Sequence, residues 1–368
     1  MSKLIKGALL ACMVGSSPGD TIGGTKCGHR DGHVGDVPEI AGCIEEEKTT
    51  MALVSGYHHL TLSTDGVQED YDFYTKILGL YSVKRTVLFD GTIPVYHLYY
   101  GSRDGDASTI ITTFPFRKPA VFGRRGTNQS KIIQQAIPVG SADYWVDRLN
   151  AKGIEAAKFS RFGLTRVGFK HPCGIPHELV ESPADTRPSI VNEAQGVAAE
   201  HGIKGIYGAA IAVFDRTSMD DFLTVGLSMK KEADSDEGLM FSVPNNAGPS
   251  SMVEILHEPN DRQGTWTLAG GTIHHLALNT LNEENQLTLK AHLEGLGFTD
   301  VSDQKDRNYF KSCYVRSPGG ALFEIAWSVE GGWALDEPPG KIGTTLVFPP
   351  WFEDRRAELT AGLEPANF

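Results

Sequence analysis

Two short segments of this 368-residue chain repeat one another and carry side chains that bind metals. Tyr57-His58-His59-Leu60-Thr61-Leu62 returns as Ile273-His274-His275-Leu276-Ala277-Leu278, and the second copy is followed by Leu322-Phe323-Glu324-Ile325-Ala326. In each copy a His sits in an alternating apolar stretch, so its ring projects from a strand into a protected space. One His from each copy plus Glu324 offers two neutral imidazoles and one carboxylate. On one face of an ion that set suits non-haem Fe(II), because it leaves positions free for a substrate and dioxygen; Mn(II) accepts the same ligands. A single strand histidine would more simply satisfy a local hydrogen bond. A repeated His-His pair with a matching Glu points instead to a metal.

The elements that must position these residues form four similar units. The first has a strand (Tyr57–Leu62), a helix (Val67–Ile77) ending at Gly79, and strands around Val83–Phe89, Val95–Tyr100 and Thr109–Phe114. The second has a strand (Ile132–Ile137), a helix opened by Ser141 (Ala142–Lys152) and stopped by Gly153, then strands near Phe169 and His177–Glu181. The third has a strand (Ile206–Phe214), a helix opened by Thr217 or Ser218, and strands at Leu239–Val243 and Ser251–His257. The fourth starts at Gly271 and has a helix (Glu283–Leu296) ended by Gly297, with strands at Tyr309–Val315 and Ala321–Ser328. Ser or Thr before a helix and Gly after it are capping chemistry.

The last strands reinforce the repeat. His171-Pro-Cys-Gly-Ile-Pro-His-Glu178 matches Ser317-Pro-Gly-Gly-Ala-Leu-Phe-Glu324, and Ser251-Met-Val-Glu254 fits the same frame. Glu178 and Glu254 therefore occupy the Glu324 position. The His position, however, is Gly208 in the third module and an apolar or amide residue near Ile133 in the second, so these glutamates are expected to be hydrogen-bonded structural groups in a vestigial cup. The fold class is α+β: four βαβββ modules in two domains, 51–186 and 205–335, joined by a polar linker at 187–204. A Gly- and Pro-rich tail at 336–368 ends in an amphipathic helix, Trp351–Leu363.

Residues 1–50 read differently. A short apolar run after Lys3 and Lys6 is at the lower limit of a signal core and lacks a clear cleavage pattern. The Gly-, Asp- and Glu-rich stretch that follows has almost no apolar periodicity, so 1–50 is expected to be a disordered leader, with Met51 as an alternative start. Over the whole chain 46 acidic against 34 basic residues, a net charge of −12, disfavours nucleic-acid and anionic-membrane partners. No later window approaches the ~18 apolar residues of a membrane-spanning helix. Five cysteines, three within the first fifty residues, do not make a disulfide framework and point to a reducing, cytoplasmic compartment.

Duplicated βαβββ modules with metal ligands on first and last strands resemble the vicinal oxygen chelate, or glyoxalase-like, superfamily. Several stretches are similar to a narrower group within it, the ring-cleaving (chloro)hydroquinone 1,2-dioxygenases: Gly56-Tyr-His-His-Leu-Thr61, Lys84-Arg-Thr-Val-Leu-Phe-Asp90-Gly, Arg307-Asn-Tyr-Phe310 and Tyr314-Val-Arg-Ser-Pro-Gly-Gly320 among them. The resemblance implies iron ligands at His59, His275 and Glu324, and substrate-facing residues at Thr61, His274, Arg307 and Tyr314. It implies an Fe(II) enzyme that opens a 1,4-dihydroxylated aromatic ring with O2, with a small aromatic substrate as its partner; a homo-oligomer is compatible with it. The chain departs from the group in its leader, in Asp306 and Asn308 beside Arg307, and in Tyr207, which leaves substituent preference open.

On a regular strand His274 and His58 would face away from the ligand beside them, so any role in the pocket requires a local distortion. Thr61 lies on the ligand face. Arg307 can place a fixed positive charge against a phenolate, unless it is a solvated surface arginine beside Asp303, Lys305 and Asp306. Tyr314 can donate to substrate, and His97 reads as a satisfied core residue. Three rival readings remain. An extradiol catechol dioxygenase keeps the triad. A glyoxalase-like lyase or isomerase using Zn(II) or Ni(II) would want a fourth carboxylate on the last strand of module one, where Ile110-Ile111-Thr112-Thr113-Phe114 has none. A metal-free sequestering protein would not need the triad. The triad itself requires modules one and four to share one cup.

Overall fold

The four modules each contribute four strands. Module one supplies β1 (Tyr57–Thr64), β2 (Tyr81–Val87), β3 (Tyr96–Gly101) and β4 (Ile110–Pro115); module two supplies β5 (Gln129–Ile137), β6 (Ala157–Arg161), β7 (Leu164–Lys170) and β8 (Pro176–Glu181). Module three gives β9 (Gly205–Val213), β10 (Lys230–Ser235), β11 (Gly238–Ser242) and β12 (Met252–His257), and module four β13 (Thr272–Asn279), β14 (Lys305–Asp306), β15 (Phe310–Arg316) and β16 (Leu322–Ser328). This is a computed structural model that describes residues 53–368 apart from 92, 118–120, 244–250 and 339. The leader assigned to 1–50 lies outside the described residues.

The strands form two curled eight-stranded sheets, ordered β14-β15-β16-β13-β1-β4-β3-β2 and β10-β11-β12-β9-β5-β8-β7-β6. Modules one and four thus share one sheet and modules two and three the other. The boundaries 51–186 and 205–335 follow chain order, whereas the hydrogen bonding follows this nested order within one compact unit beginning at Ala52. In both sheets the two central strands are antiparallel first strands of their modules, and each is flanked by a parallel last strand. Of these strands β1 and β9 are buried along their whole length, and the others are buried over most of theirs.

The helices depart from the sequence reading in instructive ways. The first is α-helical only over α1 (Val67–Tyr71) and continues as π-type turns over Asp72–Ile77. The second, α2 (Ala142–Ala151), is not capped by Ser141. That hydroxyl donates to the Glu200 carbonyl, and the orphan amide of Ala142 is met by Glu181 from β8 at 2.8 Å. Module three has no regular helix: Thr217 bonds back to Asp215 in a turn, and only a π-type segment at Phe222–Gly226 follows. The fourth helix, α3 (Glu283–Gly295), forms as expected and is capped by Asn282. The 187–204 segment is anchored, with Ile190, Val197 and Ile203 buried. The tail's α4 (Arg356–Gly362) follows a 3-10 turn at Pro350–Arg355, and Phe352 and Leu359 pack on Val87. Trp333, in a 3-10 turn at Gly332–Ala334 after β16, closes over an aromatic cluster that includes Tyr99, Tyr309 and Phe310.

The cup of modules two and three is filled by charge. Arg166 is wholly buried and reaches Glu178 at 2.9 Å and Glu254 at 2.6 Å; Arg161 bonds both carboxylates, and Gln134 donates to each. A side chain at Gly208, the counterpart of His275, would place its Cβ 2.3 Å from the Met252 carbonyl oxygen. The vestigial cup therefore has neither imidazoles nor room for them, and two guanidiniums balance its two glutamates. Removing one cation leaves a buried carboxylate uncompensated, which typically costs about 3–5 kcal/mol. Arg166→Met is expected to destabilise the fold by about that amount, read as a lower denaturation midpoint at unchanged metal content.

Candidate metal centre

The first sheet brings His59, His275 and Glu324 together. The β1–β13 ladder is interrupted twice. Between Tyr57↔Leu278 and His59↔Ala277 the extra residue is His58, and between Thr61↔His275 and Leu62↔Ile273 it is His274. Each is a β-bulge, which supplies the distortion that two adjacent histidines need to approach one another on a strand. Nδ1 of His58 lies 2.8 Å from Nδ1 of His59, and Nδ1 of His274 lies 2.7 Å from Nδ1 of His275. The outer nitrogens of the ligand rings are thereby engaged and their Nε2 atoms turned inward, 3.0 Å apart.

Glu324 enters from β16 beside Ala277. Its Oε2 lies 2.8 Å from Nε2 of His275 and 3.7 Å from Nε2 of His59; its Oε1 accepts a hydrogen bond from Ser312. Burial would raise the Glu324 carboxyl, but the two histidines and the Ser312 hydroxyl hold it well below the usual carboxylate range. Burial holds the His59 ring well below its ordinary value, although Glu324 opposes the shift, so His59 is neutral and can offer a lone pair. His58 is lowered to about 4 for the same reason. Oε2 of Glu324 is buried and lacks a hydrogen bond of acceptable geometry, although two imidazole nitrogens face it. One such oxygen and two inward nitrogens, all three atoms within 4.8 Å of one another, fit a divalent ion of the Fe(II) or Mn(II) type.

The network fixes tautomers. If Nε2 of each ligand ring points a lone pair at the centre, each Nδ1–H donates outward, to His58 and His274. His58 must then donate its own Nε2–H to Ser328 Oγ at 2.9 Å. His274 also lines a shallow surface depression bordered by Trp266 and Arg316.

Thr61 stands on the cup side of β1 at the head of a buried chain. Its hydroxyl is 2.9 Å from Thr112 Oγ1, which is 3.1 Å from Nε2 of His97, whose Nδ1 is 2.8 Å from Tyr99 OH. Burial keeps His97 neutral and the Tyr99 phenol protonated. If Tyr99 donates to His97, then His97 donates to Thr112 and Thr112 to Thr61, which leaves the Thr61 proton for the cup. Thr112 sits where a fourth ligand would come from, and it presents a hydroxyl.

Arg307 is not a solvated arginine. Asp306 pairs with Lys311 and accepts from the Asn308 amide, and Asn308 turns the chain in a left-handed conformation. The guanidinium is directed onto Tyr314, with its carbon 5.6 Å from the ring centre and Nε donating to the hydroxyl at 3.4 Å. The Tyr314 ring lies 5.7 Å from that of His275. Arg307 and Tyr314 thus stand beside the centre with Thr61 and His274. Sequence reasoning gave no role to His58, His97, Thr112, Tyr99 or Ser312. The duplicated His-His pair was the one signal that could have found His58.

Residues 56–179 match the Glyoxalase/Bleomycin resistance protein/Dioxygenase superfamily. The chain is 34% identical over 308 residues to chlorohydroquinone/hydroquinone 1,2-dioxygenase of Sphingobium indicum, covering 83% of this chain and 95% of that protein. A solved Bacillus subtilis structure described as a "putative dioxygenase" superposes with a TM-score of 0.78 at 31% identity, over 85% of this chain and 98% of the other. Glyoxalase I from Zea mays shares the fold, with a TM-score of 0.53 at 12% identity over 74% and 92% of the two chains. Removing a group that orients a ligand histidine typically weakens metal binding about 10–100-fold. His58→Phe keeps the ring packed against Phe310 and Trp333 while removing the Nδ1 acceptor, and is expected to show that loss in a competitive chelator titration.

Proposed function

The chain belongs to the glyoxalase/bleomycin resistance protein/dioxygenase superfamily, among its ring-cleaving dioxygenases, and from that premise we propose that it opens a hydroquinone-type ring with O2 at a mononuclear Fe(II). His59, His275 and Glu324 would hold the ion. The observation that carries this reading is the convergence of two inward imidazole nitrogens and a buried carboxylate oxygen from opposite ends of the folded chain. Bound there, the ion supplies Lewis acidity toward a phenolate and a position for dioxygen.

The remaining groups act on the organic substrate. Thr61, with its proton directed into the cup, donates to a substrate oxygen and orients the ring. Arg307 supplies a fixed positive charge that favours the deprotonated hydroxyl, and Tyr314, held by Arg307, shapes the same wall. His274, whose Nδ1 accepts from His275, carries its own proton on Nε2 and can donate it to a substrate oxygen. Phe310, 5.2 Å from the His59 ring, and Phe89, 5.2 Å from the His97 ring, would give the cup aromatic walls suited to an aromatic substrate. A glyoxalase-type lyase fits less well, because its fourth ligand position is occupied by Thr112.

Anaerobically purified, Fe(II)-reconstituted protein is expected to consume O2 with hydroquinone or with methyl- or chlorohydroquinone, with loss of the quinol spectrum. His59→Ala and Glu324→Ala should abolish uptake. Preference for catechol would replace the substrate class, and no uptake with any aromatic diol would sink the dioxygenase reading. Thr112→Val should lower kcat about tenfold with metal content unchanged, since it cuts the chain that directs Thr61. Thr112→Ser should restore it. Equal rates for all three proteins would show that the chain has no part in turnover.

A further inference from the structure

Away from the metal cup, the fold joins a thiol, an imidazole and a carboxylate that no step above uses. His171 and Cys173 lie in the turn His171-Pro172-Cys173-Gly174 leading into β8, and Asp70 comes from α1 of the preceding module. Cys173 Sγ is 3.0 Å from Nδ1 of His171, and Nε2 of the same ring is 3.2 Å from Asp70 Oδ1. The other Asp70 oxygen accepts from Thr64 Oγ1 at 2.5 Å. His171 and Asp70 are fully buried, with the ring 4.6 Å edge-on from Phe73 and stacked 5.6 Å from Tyr74, whereas Cys173 is half-buried. Burial opposes a charged ring, yet the contacts with Asp70 and Cys173 raise His171 to about 9.

The turn does not need these side chains. Its module-four counterpart, Ser317-Pro318-Gly319-Gly320, closes with the same two backbone bonds. His171 N to Ile175 O matches Ser317 N to Ala321 O, both 2.9 Å, and Gly174 N to His171 O at 2.6 Å matches Gly320 N to Ser317 O at 2.8 Å. Module two has the same backbone with a Cys–His pair added, backed by an aspartate from another module. The His171 ring also accepts from the Cys173 amide at 3.2 Å, which holds Nδ1 toward the sulfur. The Arg125 guanidinium adds positive charge at the turn, donating to the Cys173 and Gly271 carbonyls at 3.3 Å each. A thiol beside a charge-stabilised imidazole is an activated nucleophile.

We propose that Cys173, activated by His171 with Asp70 behind it, is a nucleophilic thiol whose electrophile is a quinone. The choice of electrophile rests on the hydroquinone reading: a hydroquinone that loses two electrons and two protons in air becomes a quinone, a soft acceptor for thiolates. His171 Nδ1 takes the thiol proton. The Sγ lone pair forms a bond to a ring carbon, the C=C electron pair moves through the conjugated system onto the oxygen of the carbonyl at the far end of that C=C, and His171 returns the proton there. The ring C–H proton then leaves to solvent, its bond pair becomes a ring C=C as the second carbonyl pair moves onto oxygen, and that oxygen takes a proton from solvent. The product is an S-aryl hydroquinone in which the thiolate lone pair has become the C–S bond and the C–H pair has restored aromaticity.

The test is a competition requiring neither metal nor turnover. The full chain and glutathione, at equal thiol concentration, receive limiting methyl-p-benzoquinone, and in a parallel arm iodoacetamide, with adducts located by peptide mass spectrometry. Cys173 is expected to react about tenfold or more faster than glutathione in both arms, with His171→Gln and Asp70→Asn each reducing it to the glutathione rate. Fast labelling by iodoacetamide alone would overturn the quinone assignment. A Cys173 no faster than glutathione in the unaltered protein would overturn the whole proposal, whatever the variants do. Since O2 uptake is read separately, failure of the dioxygenase reading and failure of this one are distinguishable.

Discussion

The pairing of β1 with β13 joins residues 57–64 to residues 272–279, and the rest of the centre depends on it. Those strands contribute both ligand histidines, and the last strands β4 and β16 run parallel beside them, which brings Thr112 next to Thr61 and Glu324 next to Ala277. The two bulges are as important as the pairing. Without them His58 and His274 would stand on the far face, and His59 and His275 would lose the contacts that turn Nε2 inward. A bulge inserts one residue and shifts the side-chain alternation locally. Here it converts consecutive histidines into a ligand and the group that orients it.

The second sheet shows that the bulges belong to the fold rather than to the metal. The β5–β9 ladder skips Lys131 and Tyr207, the counterparts of His58 and His274. Taking registers position by position, Thr61 corresponds to Gln134, Thr112 to Glu178, His97 to Arg166, Glu324 to Glu254 and Tyr314 to Met240. One framework thus carries two chemistries. In the second cup Arg166 and Arg161 fill the interior and balance two carboxylates within the protein. In the first the same positions hold neutral hydroxyls and an imidazole, and the one carboxylate has a buried oxygen facing the ligand imidazoles.

Much of this was legible in the sequence, and the boundary has physical reasons. Module count, the alternating strands and the His59, His275 and Glu324 that the fold brings together could be read because side-chain period and residue type are local properties. Which modules share a sheet could not, since strands of similar composition pair equally well on paper; only the requirement that two histidines and Glu324 meet pointed to modules one and four. The bulges were invisible because they arise from a register mismatch between distant strands. Ser141 was a reasonable cap by residue type, yet tertiary contact gave that task to Glu181. For Arg307 the sequence left a solvated alternative open, because the turn at Asn308 that pairs Asp306 with Lys311 and lays the guanidinium on Tyr314 is not a local property of residue type. The Cys173 cluster was hidden because Asp70 lies in another module.

Electrostatics explains why a dication suits the first cup and not the second. A buried carboxylate must be compensated, and the effective desolvation penalty is still several kcal/mol per ion. In the second cup the guanidiniums meet that requirement permanently, and nothing charged could enter without displacing them. In the first, Arg307 offsets the single charge of Glu324 but is directed onto Tyr314 rather than onto the buried oxygen. A divalent ion placed between Oε2 and the two Nε2 atoms would leave the region with an excess positive charge in an apolar, aromatic-walled space. The complement to such a space is a flat ring carrying ionisable hydroxyls, which supplies apolar faces to the walls and negative oxygen to the centre. The neutral Thr61–Thr112–His97–Tyr99 chain adds a directed donor without altering that charge balance, as a charged side chain at any of those positions would.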